Sequence, residues 1–396
     1  MQSLDGYVAQ ELNTLREKGT FRQLRVLTGE PQARAVYDGK PVVNLSSNNY
    51  LGLATHPRLK QAMAEATARL GVGAGAVRTI AGTLEIHEEL ERELAEFKHT
   101  QATLVFQSGF SANYGVLGSI MTADDFVLSD ELNHASIIDG IRLSPAKRRV
   151  FRHADMDDLE NKLKEVQREA KSSSKVLIVS DGVFSMDGDI APLPDIVQLA
   201  ERYGAAVMVD DAHASGVLGT NGRGSVNHFG LDGRVAIQVG TLSKAVGVLG
   251  GYVAGSYELR HLLIHRARPF LFSTAHPPGV AAANLAALKV LQSEPEWVER
   301  LWANAKFFKQ GLQELGFNTG SSQTPITPVI IGHGAKAMQF SDRLFAEGVF
   351  AQGITYPTVP EEKSRVRTIV MATHTREDLE YALSVFAKVG HELGVI

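Results

Sequence analysis

The spacing of apolar residues divides the chain into three stretches. Near the N-terminus, Leu4, Val8, Leu12 and Leu15 recur at helical spacing, which predicts an amphipathic helix over residues 1 to about 20. Residues 41–45 read as a short strand running into a polar turn at 46–50. From about residue 57 to 255, short β-rich runs alternate with helical stretches. Strands are predicted at 103–106, 126–129, 149–151, 176–180, 206–209, 236–239 and 252–254, with helices such as 85–98, 157–170 and 193–203 between several of them. Most of the strand runs are almost unbroken apolar residues, the pattern of strands covered on both faces. Such alternation predicts an α/β fold with a mainly parallel seven-stranded sheet and a binding crevice at the carboxyl ends of its strands.

After Pro277-Pro278 a long helical stretch runs to about Leu315. Strand-like pieces at 327–331, 349–354 and 366–371 follow, and a helix from Arg376 closes the chain. The expected organisation is an N-terminal arm (1–45), a large α/β domain (46–285) and a smaller α+β C-terminal domain (286–396). The composition, 44% hydrophobic and 21% charged, is that of an ordinary globular protein. A net charge of −4 with mixed signs argues against nucleic-acid or polybasic membrane binding. Cysteine is absent, which removes disulfides, thiolate nucleophiles and cysteine-bound metals, and no metal is expected. There is no secretory signal and no apolar run of the roughly 20 residues that span a bilayer, so a cytoplasmic protein is expected.

Chemistry should sit where strands end, and four ends stand out. Gln107-Ser-Gly-Phe-Ser-Ala-Asn113 opens a helix with small residues, leaving backbone N–H groups for an anion. Asp181-Gly-Val-Phe-Ser-Met-Asp-Gly188 is a polar loop, and in Val209-Asp-Asp-Ala-His213 an acid directly follows a strand. In Gly240-Thr-Leu-Ser-Lys244 a lysine follows a strand and precedes a glycine-rich stretch. Taken singly, each is as well explained by a turn, a cap or a solvated charge. Taken together, they supply what pyridoxal phosphate requires: a lysine for its Schiff base, an acid for its ring nitrogen and a cradle for its phosphate.

With these stretches in hand, and with Ser47-Asn-Asn-Tyr-Leu-Gly52, Asn133-His-Ala-Ser136, Ile137-Ile-Asp-Gly140, Pro269-Phe-Leu-Phe-Ser-Thr274 and Arg365-Val-Arg367, the chain resembles the α-oxoamine synthases of the fold-type I pyridoxal-phosphate enzymes over nearly its whole length. The resemblance implies that Lys244 carries the cofactor, Asp210 pairs with the ring nitrogen and His134 stacks on the ring. His213 and Ser185 would bond the phenolic oxygen. Ser108, Gly109, Phe110 and Thr241 would hold the phosphate, completed by Ser273 and Thr274 of a second subunit, so a homodimer with a shared active site is implied. Asn48 and Arg367 would hold an amino-acid carboxylate, the guanidinium in two places at once.

The implied reaction joins glycine to an acyl-CoA: Lys244, once freed, removes a proton from Cα, and His134 assists at the thioester carbonyl. The run 133–143 and Tyr356-Pro-Thr-Val-Pro360 resemble the glycine C-acetyltransferase branch of threonine breakdown, so acetyl-CoA is the expected partner. A decarboxylating 8-amino-7-oxononanoate synthase of biotin synthesis, or an enzyme doing both, is the alternative. An aminotransferase or lyase on the same fold, and a non-catalytic binding protein, are the rivals from other classes. Arg22, Arg25 and Lys147-Arg-Arg149 are basic candidates for the CoA phosphates, though surface charge explains each at least as well.

Overall fold

A computed structural model of the chain describes residues 3–17, 21 and 24–396. The first strands, β1 (Leu27–Thr28), β2 (Arg34–Tyr37) and β3 (Lys40–Asn44), form an antiparallel ribbon. The central sheet has seven strands: β4 (Ala102–Phe106), β5 (Phe126–Asp130), β6 (Lys147–Phe151), β7 (Val176–Asp181), β8 (Ala206–Asp210), β9 (Ile237–Thr241) and β10 (Gly251–Gly255). A third sheet contains β11 (Ile326–Ile330), β13 (Gln352–Ile354) and β14 (Arg365–Ile369), while β12 (Val349–Phe350) pairs with β3.

The central order is β4-β10-β9-β8-β7-β5-β6, parallel throughout except for β10, which runs against both neighbours. This is a fold-type I α/β architecture. Its apolar runs are explained by two cores, because alternate residues of a strand face opposite ways. Phe126, Leu128, Ile178, Val207 and Val209 pack on one face with Leu159, Leu163, Ile196 and Val197 of the helices Met156–Glu169 and Leu193–Tyr203. Val127, Leu177, Val179, Met208 and Val239 pack on the other with Ala112, Val116 and Leu117 of the helix Gly109–Ile120 and Ile137 and Ile141 of Ala135–Leu143. Each such fully buried side chain contributes about 1.5–3 kcal/mol, and this two-sided burial holds the strand ends in register.

Three expectations need correction. Residues 349–354 are not one strand: Val349–Phe350 joins the N-terminal ribbon in parallel with β3, and Gln352–Ile354 joins the C-terminal sheet. The expected N-terminal arm, 1–45, is therefore tied by β3 to β12 of the C-terminal part. The helical run after Pro278 is two helices, Pro278–Ser293 and Glu296–Glu314, broken at Glu294-Pro295, so a division at 285 falls inside a helix. The expected first helix forms over Leu4–Glu17, with its apolar residues Leu4, Val8 and Leu12 exposed; positions 1–2 and 18–20 of the expected span lie outside the described residues. No helix among the described residues is long and apolar enough to cross a membrane.

Candidate active site

The carboxyl ends of β4, β5, β7, β8 and β9 deliver Ser108, His134, Asp181, Asp210 and Lys244 to one side of the sheet. The turn after β3 adds Asn48 and Tyr50, and β14 adds Arg367.

Lys244 is partly buried, and desolvation pulls its ammonium down to about 8 despite the opposing pull of Asp210 and Asp181. Asp210 is almost fully buried and held from both sides: its Oδ1 accepts from Ala212 N–H at 2.8 Å and its Oδ2 from Asn113 Nδ2 at 2.6 Å. Asp181 lies beside it in register on the neighbouring strand. Burial, and then the charge of Asp210, push the Asp181 carboxyl well above the usual range, and its Oδ2 accepts from His134 N–H at 2.7 Å.

His134 caps the helix Ala135–Leu143, its Nδ1 accepting from Ser136 N–H at 3.2 Å. Its ring is otherwise exposed, and desolvation lowers its pKa. His213 is buried with Nδ1 2.7 Å from the Tyr50 hydroxyl; burial, then Lys244 and Arg367, hold its pKa well below the ordinary value. It is therefore a neutral ring at neutral pH.

At the β4 end, Ser108 caps the helix Gly109–Ile120 by accepting from Ser111 N–H at 3.1 Å. The first N–H groups of a helix have no partner within it, so those of Gly109 and Phe110 are available to an anion. The Phe110 side chain is half exposed, so it would act there through its backbone alone. Thr241 Oγ1 lies 2.7 Å from Ser243 Oγ and donates to Gly250 O at 2.9 Å. The cradle is close-built: a Cβ on Gly251 would run into the carbonyl of Ser108 and the nitrogen of Gly109.

Arg365 and Arg367 alternate with Val366 on β14 and face the loop after β7. Arg365 is fully buried and spent on structure, bonding Asp187 at 2.6 Å and Met186 O at 2.9 Å. Arg367 donates to Ser185 O at 3.0 Å and has no carboxylate partner among the described residues. Asn48 Oδ1 is likewise buried without a partner. Since the two ends of an amide exchange by a flip, Asn48 can present its NH₂ to an anion. A half-buried guanidinium with no carboxylate partner among the described residues has the chemistry to take one. With the lysine, the pinned acid and the helix-end cradle, these residues fit pyridoxal phosphate and an amino acid.

The expected residues are not all equally placed. Ser185 is half-buried at the loop where Arg367 docks. Ser273 and Thr274 lie at an open face: Thr274 is exposed, and its carbonyl accepts from Gln107 Nε2 at 2.7 Å, one residue before the cradle. Large apolar side chains are exposed around this region of the chain, among them Ile80, Phe110 and Phe272. Of the basic candidates, Arg25 pairs with Asp38 and Asp342, and Arg149 with Glu169 at 2.7 Å; Arg22 lies outside the described residues. The sequence singles out the stretches that contain Tyr50, Asn113, Ser136 and Asp181 but assigns none of the four a role, and the fold brings them against the expected residues.

Comparison with known proteins narrows what such a site does. Residues 40–386 match the aminotransferase class I and II family. A protein of Symbiobacterium thermophilum called 8-amino-7-oxononanoate synthase is 63% identical over 394 residues, covering 100% of both chains. One of the same name from Exiguobacterium sibiricum is 62% identical over 390 residues, covering 98% of this chain and 99% of its own. Among solved structures, a serine palmitoyltransferase from S. paucimobilis, bearing a pyridoxal phosphate–myriocin aldimine, superposes with a TM-score of 0.92 at 32% identity, covering 98% of each chain.

Proposed function

The chain belongs to the aminotransferase class I and II family, as an α-oxoamine synthase, and from that premise we propose that it condenses glycine with a pimeloyl thioester, releasing carbon dioxide and the thiol, to give 8-amino-7-oxononanoate. It is a pyridoxal-phosphate-dependent C-acyltransferase. The observation that carries the choice of acyl group is full-length identity of 63% to a protein of that name. This replaces the expectation of acetyl-CoA. One run behind that expectation, 133–143, is occupied with structure: Asn133 bonds Val179 O and Ser129, and Ile137 and Ile141 fill the core, so it carries little information about the acyl chain.

The cofactor, when bound, supplies an electron sink that lets a proton leave the glycine α-carbon. Lys244 would hold it and then serve as the base, a task suited to an amine near 8. Asp210, fixed by two donors, would keep the ring nitrogen protonated, and Ser108, Gly109, Phe110 and Thr241 would hold the phosphate. Arg367 and Asn48 would grip the glycine carboxylate. His134 would stack on the ring and reach the thioester carbonyl, and His213 with Ser185 would bond the phenolic oxygen. The exposed Ile80, Phe110 and Phe272 support a homodimer in which Ser273 and Thr274 complete the partner's cradle.

Two measurements test this. With carboxyl-labelled glycine and a thioester panel from acetyl to pimeloyl, kcat/KM is expected to be at least about tenfold higher for pimeloyl, which corresponds to about 1.4 kcal/mol, with the label leaving as carbon dioxide. Label retained in an acetyl-derived product would return the acetyl assignment. Second, capture of pyridoxal phosphate by the apoenzyme needs a neutral Lys244 amine. Its rate should climb with pH and level off above about 8. At pH 7 it should exceed that of a lysine of ordinary pKa by on the order of 10²-fold. A rate still climbing toward pH 10 would show that the site does not lower the amine.

A further inference from the structure

We propose that Asn113 is a positioning residue that ties the acid of the site to its exposed imidazole: Nδ2 donates to Asp210 Oδ2 at 2.6 Å and to Ser136 Oγ at 2.9 Å, and Ser136 Oγ lies 2.7 Å from His134 Nδ1. This rests on Lys244, Asp210 and His134 being the cofactor residues.

The direction of every bond in this chain can be worked out. A carboxylate only accepts, so the Asn113 end facing Asp210 must be the NH₂, whichever way an amide could otherwise be turned. Its second hydrogen goes to Ser136 Oγ, which leaves the hydroxyl proton for His134 Nδ1. That nitrogen also accepts from Ser136 N–H at 3.2 Å. With both donors converging on Nδ1, the proton of the neutral ring sits on Nε2, where it can be donated to a substrate oxygen.

Asn113 is completely buried in the helix Gly109–Ile120, among residues that are mostly small or apolar. A buried amide is costly unless satisfied, yet its Oδ1 has no partner among the described residues. The side chain gives up its acceptor and uses both of its donors. A residue present only to fill space would have been cheaper as an apolar side chain. The helix that opens the phosphate cradle thus also fixes the acid and, through Ser136, the tautomer of His134.

The two limbs separate by mutation of the holoenzyme. Asn113→Ala removes a charge-assisted donor from Asp210, concentrating negative charge at the ring nitrogen and making the lysine-bound cofactor more basic. The pH titration of its visible absorbance should shift upward by about half to one unit. Ser136→Ala leaves Asp210 bonded, so its titration should match the parent while kcat with the thioester falls about tenfold and the KM for glycine is unchanged. An Asn113→Ala enzyme titrating like the parent overturns the Asp210 limb, and an undiminished kcat in Ser136→Ala overturns the His134 limb. Should Asn113→Ala fail to fold, Asn113→Ser, which is too short to span to Asp210, must show the same upward shift or the proposal falls. If Lys244→Ala keeps the visible absorbance, the cofactor assignment itself has failed; if it loses it while Asn113→Ala titrates normally, only the Asn113 role is lost.

Discussion

Lys244→Ala enzyme is expected to purify without the visible absorbance of a lysine-bound cofactor and to lose at least about 10⁴-fold in kcat/KM, which corresponds to about 5.4 kcal/mol of transition-state stabilisation. The size follows from one amine having two tasks, attachment and proton removal, neither of which any neighbour can take over. The bases nearby are unsuited: His213 is held neutral by burial with Nδ1 on Tyr50, and His134 is tied by Nδ1 to Ser136. Asp181 is pushed toward its protonated form by burial and by Asp210. The variant should fold normally, because removing a partly buried cation that carries a desolvation penalty does not destabilise the apoprotein. Absorption spectra and steady-state kinetics of parent and variant check this directly. A yellow, active Lys244→Ala enzyme would remove the lysine from the site.

Much of this arrangement is legible in the amino-acid sequence, for identifiable reasons. The strands β5, β7, β8 and β9 are buried on both faces, so their apolar runs are unbroken and their ends conspicuous. A lysine or aspartate at one such end passes for a cap or a solvated charge, and Lys244 and Asp210 stand out because several ends together make one cofactor set. The hairpin of β2 and β3 was half missed, although Asp38-Gly39, with φ of 52° and 77°, is the two-residue turn such hairpins favour. The split of residues 349–354 could not be read, because the first half pairs with β3, far away along the chain, while the second pairs with the nearby β14. Asn113 was hidden for another reason: an amide inside a helix looks the same whether it meets solvent or a buried carboxylate. Tyr50 has the same ambiguity, since a buried tyrosine usually reads as core, and only the fold brings its hydroxyl to His213.

The largest stability effect is expected next to the site, at Lys98 and Asp211. Both side chains are fully buried, with Nζ 2.8 Å from Oδ2. Lys98 also donates to Arg223 O, and Asp211 accepts from Ser225 N–H at 3.2 Å. Burial by itself would lower the Lys98 pKa, but Asp211 and Tyr252 outweigh it and raise it, so the pair is ionic. Removing one member leaves the other charged in a dry environment. Lys98→Met should therefore cost about 3–5 kcal/mol in urea unfolding of the apoenzyme, measured at fixed protein concentration. The double variant Lys98→Met, Asp211→Leu should recover much of that loss, because two apolar groups carry no unpaired charge. Function need not recover with it. Asp211 anchors the turn that carries Asp210 and His213, its carbonyl accepting from Ala214 and Ser215 and its N–H donating to Val239 O. Its carboxylate also fixes Ser225 across that turn. The expected outcome is a double variant that is stable but binds pyridoxal phosphate more weakly than the parent. Equal losses in the single and double variants would mean that the pair is not coupled. Full recovery of cofactor affinity would mean that the ion pair serves stability alone and that the backbone of the Asp210 turn holds its shape without it.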